Sequence, residues 1–440
     1  MNNNSFKQTE IGLIPDDWKL IHLDNEDYFE TLNGLWKGKK SPFVKINVLR
    51  NTNFTNSGKL DYSDVAELDV EIRQYEKRKL LFGDIIIERS GGGPSQPVGR
   101  VVFFDRTTGE FSFSNFTSTL RVKKPEEIHH KFLFYSLLSF YFSGRTYALQ
   151  GRTTGIRNLD FNKYKTTAGV PKLPFSEQRK IAHILSNIQQ AIEKHEQIIK
   201  TTQELKKTLM QKLLTEGINN EPQRQTEIGL IPQSWEVVEL GDICSQRKET
   251  LEPKANGNSI YIGLEHIEPG SFYKSNNGDE KDVVSSKYKF YEDDILYGKL
   301  RPYLDKSIIP STKGICSTDI IVLKTEPNID NKFVLCLFHT ESFIKHAVAT
   351  TSGVNHPRTN YSSLKKFKFA LPNSDEQKRI SEITFRIEDK ILIAKESKRI
   401  TTDLFKTMLN QLMSGQLRVK DIDLSAVADL ELEKVHFPSV

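Results

Sequence analysis

An α+β fold built as an internal repeat is predicted here: two mixed modules, each followed by a long helix, with the two helices pairing as an antiparallel coiled coil around a pseudo-two-fold axis. Three observations predict it. The octamer QTEIGLIP occurs at residues 8–15 and again at 225–232, 217 positions later in a chain of 440, each time with a tryptophan (Trp18, Trp235) three positions beyond its proline. A repeat of that length is a duplicated domain plus linker, not a solenoid unit. A Leu-Pro pair ends each module, at Pro174 and Pro372, and a stretch free of Pro and Gly then runs to Gly217 or Gly415; both pairs lie 198 positions apart. Between octamer and Leu-Pro, short β-branched and aromatic runs alternate with Gly, Pro and Asp, which is the signature of strands.

The matched runs can be followed through both copies. The first has LLFGDIIIER (80–89), GRVVFF (99–104), FSFSNFTSTLRVK (111–123) and an apolar helical run at 126–143. The second has FYEDDILYGKL (290–300), KSIIP (306–310), GICSTDIIVLK (314–324) and a helical run at 330–348. Each long stretch after Leu-Pro reads as one helix of about 41 residues, or about 60 Å. Ser176 and Ser374 stand where helix N-caps belong, and Ser374-x-x-Gln377 has capping-box form. Gly217 and Gly415 suit helix C-termini.

An apolar seam on each long helix predicts the pairing. In the first, Ile181, Leu185, Ile188, Ile192, His195, Ile199 and Thr202 alternate steps of four and three, and the phase then slips to Leu205, Leu209 and Leu213. In the second, Ile380, Ile383, Ile387, Ile391 and Ala394 lead through Lys398 and Thr401 to Phe405, Met408 and Leu412. A period of about 3.5 residues is the coiled-coil pattern. The polar interruptions either set register or are tolerated at the solvent edge.

Composition bounds the function. Hydrophobic content of 37% with 27% charged residues describes a globular chain, and a net charge of +5 permits nucleic acid without demanding it. The N-terminus lacks the apolar core of a secretory signal, and no run approaches the roughly 20 apolar residues of a membrane span. Cys244, Cys316 and Cys336 form no CxxC pair and read as reduced, buried thiols of a cytoplasmic protein with no metal site.

Enzymatic motifs fail on spacing. GLWKGKKS (34–41) departs from the phosphate-loop form, and the glycines at 91–93 lead into a strand rather than a helix. Pro15-Asp16 has its best Glu-x-Lys partner, Glu204 to Lys206, inside the long helix, which does not suit a metal nuclease. No catalytic residues are assigned. What recurs is a set of polar and basic loops suited to phosphates and base edges. In the first module these are Lys37, Lys39 and Lys40; Arg89, Ser90, Gln96 and Arg100; and Arg152, Arg157 and Asn158. In the second they are Arg247 and Lys248; Lys299, Arg301, Tyr303 and Lys306; and Asn355, His356, Arg358 and Asn360. Two similar modules in one chain suit a partner with its own axis, such as duplex DNA.

The IGLIP-x-x-W openings, the GDIII and DDILYGKLRPYL strands and the paired EQRKI and EQKRI helices together resemble the specificity subunit of type I restriction–modification systems, over about residues 8–416. The resemblance implies target-recognition domains at 1–174 and 218–372 and spacer helices at 175–217 and 373–416; the acidic tail at 417–440 lies outside it. It further implies a non-catalytic chain whose two domains each read half of a bipartite double-stranded DNA site, while the helices dock two methyltransferase subunits. S-adenosylmethionine would sit in those subunits, and ATP and Mg²⁺ would serve separate restriction subunits. Two rival functions remain open from the residues alone: a fused restriction-enzyme or nuclease fragment, and a coiled-coil adaptor that binds no DNA.

Overall fold

The computed structural model describes residues 5–36, 38, 40–93, 96–153 and 156–419, the side chains of 152 and 153 excepted. The chain divides into two compact units, Met1–Glu193 with Arg399–Val440, and Lys194–Lys398. Each unit thus contains one module, the first part of the helix that follows it, and the last part of the other long helix.

The same framework appears in both units. The octamer forms a β-hairpin, Phe6–Thr9 against Gly12–Pro15 in one copy and Gln223–Thr226 against Gly229–Pro232 in the other. The next strand, Lys19–His22 or Glu236–Glu239, pairs antiparallel with the strand just before the long helix, Gly169–Lys172 or Lys368–Leu371. A four-stranded antiparallel sheet follows. Its order is Phe29–Asn33, Thr117–Val122, Ile85–Glu88 and Val101–Phe103 in the first unit. In the second it is Cys244–Arg247, Ile320–Thr325, Ile295–Gly298 and Ser307–Ile308. A further sheet contains a parallel strand pair in each unit, Phe111–Phe113 with Phe43–Leu49, or Gly314–Cys316 with Ile260–Ile262. The apolar helix His130–Phe142 covers the first module's core. Its counterpart is two helices, Asn331–Phe338 and Glu341–Ala349, where one run was expected. The break comes at Thr340, whose hydroxyl caps the second piece by accepting from the Phe343 N–H at 3.3 Å.

The long helices span Phe175–Glu216 and Ser374–Met413. Their starts differ from expectation. The carbonyl of Pro174 accepts from the Gln178 N–H at 3.1 Å, and Asn373 Oδ1 accepts from the Glu376 N–H at 3.0 Å, so Pro174 and Asn373 are the caps and the serines lie inside the helices. The expected capping box is therefore absent, and Gln377 is used elsewhere. Its amide donates to the Pro372 carbonyl at 2.8 Å and accepts from the Asp330 N–H at 3.0 Å. Gln178 repeats this, donating to Leu173 O and Glu127 O and accepting from the His129 N–H. Each glutamine ties its helix start to the module it leaves.

The helix ends match expectation. Gly217 and Gly415 adopt φ of +72° and +67°, and a Cβ on Gly415 would collide with the Pro15 ring, as one on Gly217 would with Glu376 and Trp235. Each glycine therefore lies against an opening motif. Trp18 and Trp235, both 1% exposed, are the largest fully buried side chains of the two cores. The Trp235 indole donates to Glu376 Oε2 at 3.0 Å, whose other oxygen accepts from the Ile218 N–H. In the first unit Arg418 takes over. It donates to Glu177 through Nε and Nη2 at 2.9 and 3.0 Å, pairs with Asp17 and lies over the Trp18 ring. With Val419 fully buried beside it, the start of the expected tail belongs to the first core; residues 420–440 lie outside the described residues.

Pairing of the long helices is antiparallel. In the first unit, Ile181, Leu185 and Ile192 share a core cluster with Phe405, Leu409, Leu412 and Met413, and Ile188 and Met408 pack against it. In the second, Met210 and Leu213 join Ile380 and Trp235, with Leu209 and Ile383 alongside. Lys206 bonds Glu388 and Glu196 bonds Lys398, so a ten-residue step back along one helix matches a ten-residue step forward along the other. The expected slip of phase to Leu205 does not occur. Leu205 is exposed, while Lys206, Met210 and Leu213 point inward. Ile199 and Ile387 are half-buried.

Lys206 occupies a core position because its charge is fully used there. Its Nζ lies 2.6 Å from Glu388 Oε2, donates to the Gly270 carbonyl at 2.8 Å and sits 3.8 Å from the centre of the Phe272 ring. Glu388 also accepts from Ser271 Oγ and the Phe272 N–H. Cys244, Cys316 and Cys336 are buried and free, and burial pushes the thiols of Cys244 and Cys336 up to about 12, far from the reactive thiolate form. The side chains of Lys206 and Glu388 are only 9% and 3% exposed, so removing one partner strands a buried charge. Lys206→Ala is expected to lower unfolding free energy by about 3–5 kcal/mol, whereas Lys206→Met with Glu388→Leu recovers most of the loss. Denaturant unfolding checks this; a fully stable Lys206→Ala chain would show that the pair holds nothing together.

Candidate nucleic-acid interface

In each unit, two of the basic segments come together at one place in the framework. In the first, the central strand Ile85–Glu88 continues through Arg89 into strand Ser90–Gly92. That strand pairs with Ile156–Leu159, which pairs in turn with Gln150–Thr153. Arg89, Ser90, Arg152, Arg157 and Asn158 therefore share one three-stranded surface, with Arg152 opposite Arg157. In the second, the equivalent strand Ile295–Gly298 runs into Lys299–Tyr303. The Arg301 N–H donates to the Pro357 carbonyl at 2.8 Å, and Thr359 N–H donates to Lys299 O at 3.1 Å. Paired bonds between Ser352 and Arg358 close the partner loop at its base. Lys299, Arg301, Tyr303, Asn355 and His356 lie on these joined loops, and all but half-buried Lys299 are exposed. Arg301 holds φ of +51°, a backbone state that non-glycine residues seldom adopt, and the Pro357 bond keeps it there.

Other members of the expected set have structural partners. Arg100, half-buried, donates to Glu88 at 2.9 and 2.7 Å, to the Phe54 carbonyl and to the Asn51 carbonyl. Gln96 lies beside it. Arg247 donates to Asp294 and Glu249 over the Tyr291 ring. Lys306 donates to Leu264 O, and Asn360 caps a short helix by accepting from the Ser363 N–H. Arg358 donates to both oxygens of Asp319, a bond that holds that carboxyl below its ordinary range. Arg89 is divided: Nη1 donates to Asn33 Oδ1 at 2.7 Å and the guanidinium lies over Phe161. Lys40 and Lys248 are exposed on separate segments. Lys37 and Lys39 lie outside the described residues.

Two residues at these loops were missed in the sequence. Ile156 is 52% exposed and Val354 is 99% exposed, 198 positions apart, each directly after a glycine. The same spacing of 198 that relates Pro174 to Pro372 relates these two residues, but an apolar letter in a polar loop does not announce its exposure. In the first module Gln150–Thr153 and Ile156–Leu159 form a two-stranded ribbon, an element that a DNA major groove admits. Among the described residues no group of three or more His, Cys, Asp and Glu could hold a metal ion, and no helix is long and apolar enough to cross a membrane.

Comparison with known proteins places the chain in a family. The sequence model of the type I restriction modification DNA specificity domain matches residues 16–203 and 232–402, so the domain occurs twice. The chain belongs to this family, whose members are the specificity subunits of type I restriction enzymes. The MjaVIII specificity subunit of Methanocaldococcus jannaschii is 28% identical over 437 residues, covering 95% of this chain and 97% of its own. The MjaX specificity subunit of the same organism is 26% identical over 427 residues, 94% and 97% of the two chains. Among solved structures, the type I restriction–modification S subunit from M. genitalium aligns over 94% of this chain and 98% of its own, with a TM-score of 0.58 and 17% identity, which supports the fold.

Arg100 separates a structural role from a reading one. Glu88 is 1% exposed, so Arg100→Ala should lower stability by about 3–5 kcal/mol. Chemical denaturation measures it; unchanged stability with weakened DNA binding would make Arg100 a reader instead.

Proposed function

We propose that this chain is the address reader of a type I restriction–modification enzyme. Each module binds one half of a bipartite double-stranded DNA site, through the loops at 89–92 and 150–158 in the first and at 299–303 and 352–358 in the second. The observation that carries the reading is the recurrence of the same two-loop platform at one place of one framework, with different side chains on it. A shared frame explains equal docking onto a duplex, and unlike loops explain two unlike half-sequences. Arg and Lys supply phosphate contacts that fix position, and Arg301, Asn355 and His356 offer donors for base edges.

On this reading the chain itself turns nothing over. Two methyltransferase subunits, docked on the long helices, would hold S-adenosylmethionine, and restriction subunits would use ATP and Mg²⁺, all in the cytoplasm. A mapped methylome of a strain carrying the intact system tests the reading. It should contain methylated sites made of two fixed half-sequences separated by a fixed gap. Arg301→Ala should relax or abolish recognition of one half-sequence and leave the other and the gap unchanged, because the two platforms act separately. Equal damage to both halves, or methylation at a single undivided sequence, contradicts it.

A further inference from the structure

One more position is common to the two platforms. In the first module the Arg89 N–H donates to the Phe116 carbonyl at 2.8 Å, and the Ser90 N–H reaches the same acceptor at 3.2 Å. In the second the Lys299 N–H donates to the Asp319 carbonyl at 2.9 Å. Phe116 and Asp319 stand at one point of the frame, directly before Thr117–Val122 and Ile320–Thr325, the strands that pair with the central strand. The backbone bond is kept in both copies and the side chain is not. Asp319 binds Arg358 from the neighbouring loop, whereas Phe116 is 52% exposed.

Single exposed apolar residues are ordinary on protein surfaces, so exposure alone means little. What sets Phe116 apart is its rigid mount. Ser112, Phe113, Thr117 and Ser118 around it are fully buried. The Ser114 carbonyl closes the turn, accepting from the Thr117 N–H at 3.0 Å and from the Thr117 hydroxyl at 2.8 Å. Residues 34–36 clamp that turn. The Gly34 N–H donates to Thr117 O at 3.1 Å and the Leu35 N–H to Phe113 O at 2.9 Å. A Cβ on Gly34 would collide with the Ser114 carbonyl, so only glycine permits the approach. Trp36, the next residue of the clamp, is 68% exposed. A fixed turn and its clamp thus each present a large ring, and the turn is bonded directly to the loop at Arg89 and Ser90.

We propose that Phe116 is a specificity-determining residue of the first module, its ring packing against the 5-methyl group of a thymine in the half-site. This rests on the function proposed above and adds what one position of that half-site must contain. A phenyl ring has neither donor nor acceptor, so it cannot read the polar pattern of a base edge. The apolar group that a base pair displays in the major groove is the thymine methyl. Trp36 supplies further apolar surface on the clamp. The second module has a carboxylate paired with Arg358 at this place, so the methyl contact is confined to the first half-site. A ring wedged between base pairs would instead kink the duplex and ignore the methyl.

The test uses the full-length chain assembled with its methyltransferase subunits, titrated at fixed salt with duplexes bearing its mapped site. The first half-site is the half-sequence that Arg301→Ala leaves unchanged. Replacing its thymines one at a time by deoxyuridine removes only the methyl. At one of them wild-type affinity should fall about fourfold, the worth of one buried methyl group. Phe116→Ala should bind the thymine duplex about fivefold more weakly and lose the distinction between thymine and deoxyuridine at that position. Deoxyuridine in the second half-site should act identically on wild type and Phe116→Ala. Leu81→Ala, a control truncated at a similarly exposed residue before the start of the central strand, should change neither affinity nor methyl dependence. Thermal unfolding checks that both variants remain folded. An unchanged affinity in Phe116→Ala, a methyl dependence that persists in it, or a first half-sequence without an A·T pair overturns the assignment alone. A mapped site that is not divided overturns the functional reading together with it.

Discussion

Each module of this protein is closed by the end of a helix that begins in the other repeat. In the second unit the closure is covalent and continuous: the first long helix ends at Gly217, the glycine settles on Trp235, and the chain turns directly into the second hairpin. In the first unit the same geometry is made by parts some 400 residues apart. Gly415 settles on Trp18 and Pro15, and Arg418 binds Asp17 and Glu177. Phe405, Leu409, Leu412 and Met413 belong to the core that contains Trp18. The first module therefore has a complete core only when the last helix has returned to it.

That constraint separates what is kept between the copies from what is free to vary. Hairpin proline, tryptophan and helix-ending glycine form a joint whose members touch one another, with Glu376 bound to it directly and Glu177 through Arg418, so a change in one requires a change in several. The loops at the far end of the central sheet touch little of it. Their side chains can differ, as Arg157 and Asn158 differ from Asn355 and His356, without disturbing the joint. Sequence-specific recognition on a shared frame needs such a division.

Much of this was legible in the chain. The octamer, the Leu-Pro pairs and the glycines at a spacing of 198 located both modules and both helices, and the strands fell where β-branched runs lay. Where structure and expectation differ, the partner of a polar group, which the sequence does not show, decides its place. Lys206 was passed over for Leu205 in the seam, because nothing in the sequence announces Glu388, Gly270 and Phe272 around it. Ser374 has the capping-box spacing to Gln377, but the cap is Asn373, because Gln377 is bound to Asp330 and Pro372 instead. Arg100, Arg247 and Lys306 belong to the expected basic loops, and what the sequence does not announce is that Glu88, Asp294 and the Leu264 carbonyl bind their donors. The exposure of Ile156 and Val354 cannot be inferred from an apolar letter.

Closure of the first unit by the second helix is the claim on which the rest stands, and hydrogen exchange of the full chain carrying Leu412→Ala tests it most directly. Leu412 is fully buried in the first core, and its truncation should cost about 2–5 kcal/mol there. The account predicts faster amide exchange in His130–Phe142 and in the first turns of Phe175–Glu216, with Asn331–Phe338 and the start of Ser374–Met413 unchanged. Exchange that accelerates only at the end of the second helix, with the first module as protected as before, would contradict it.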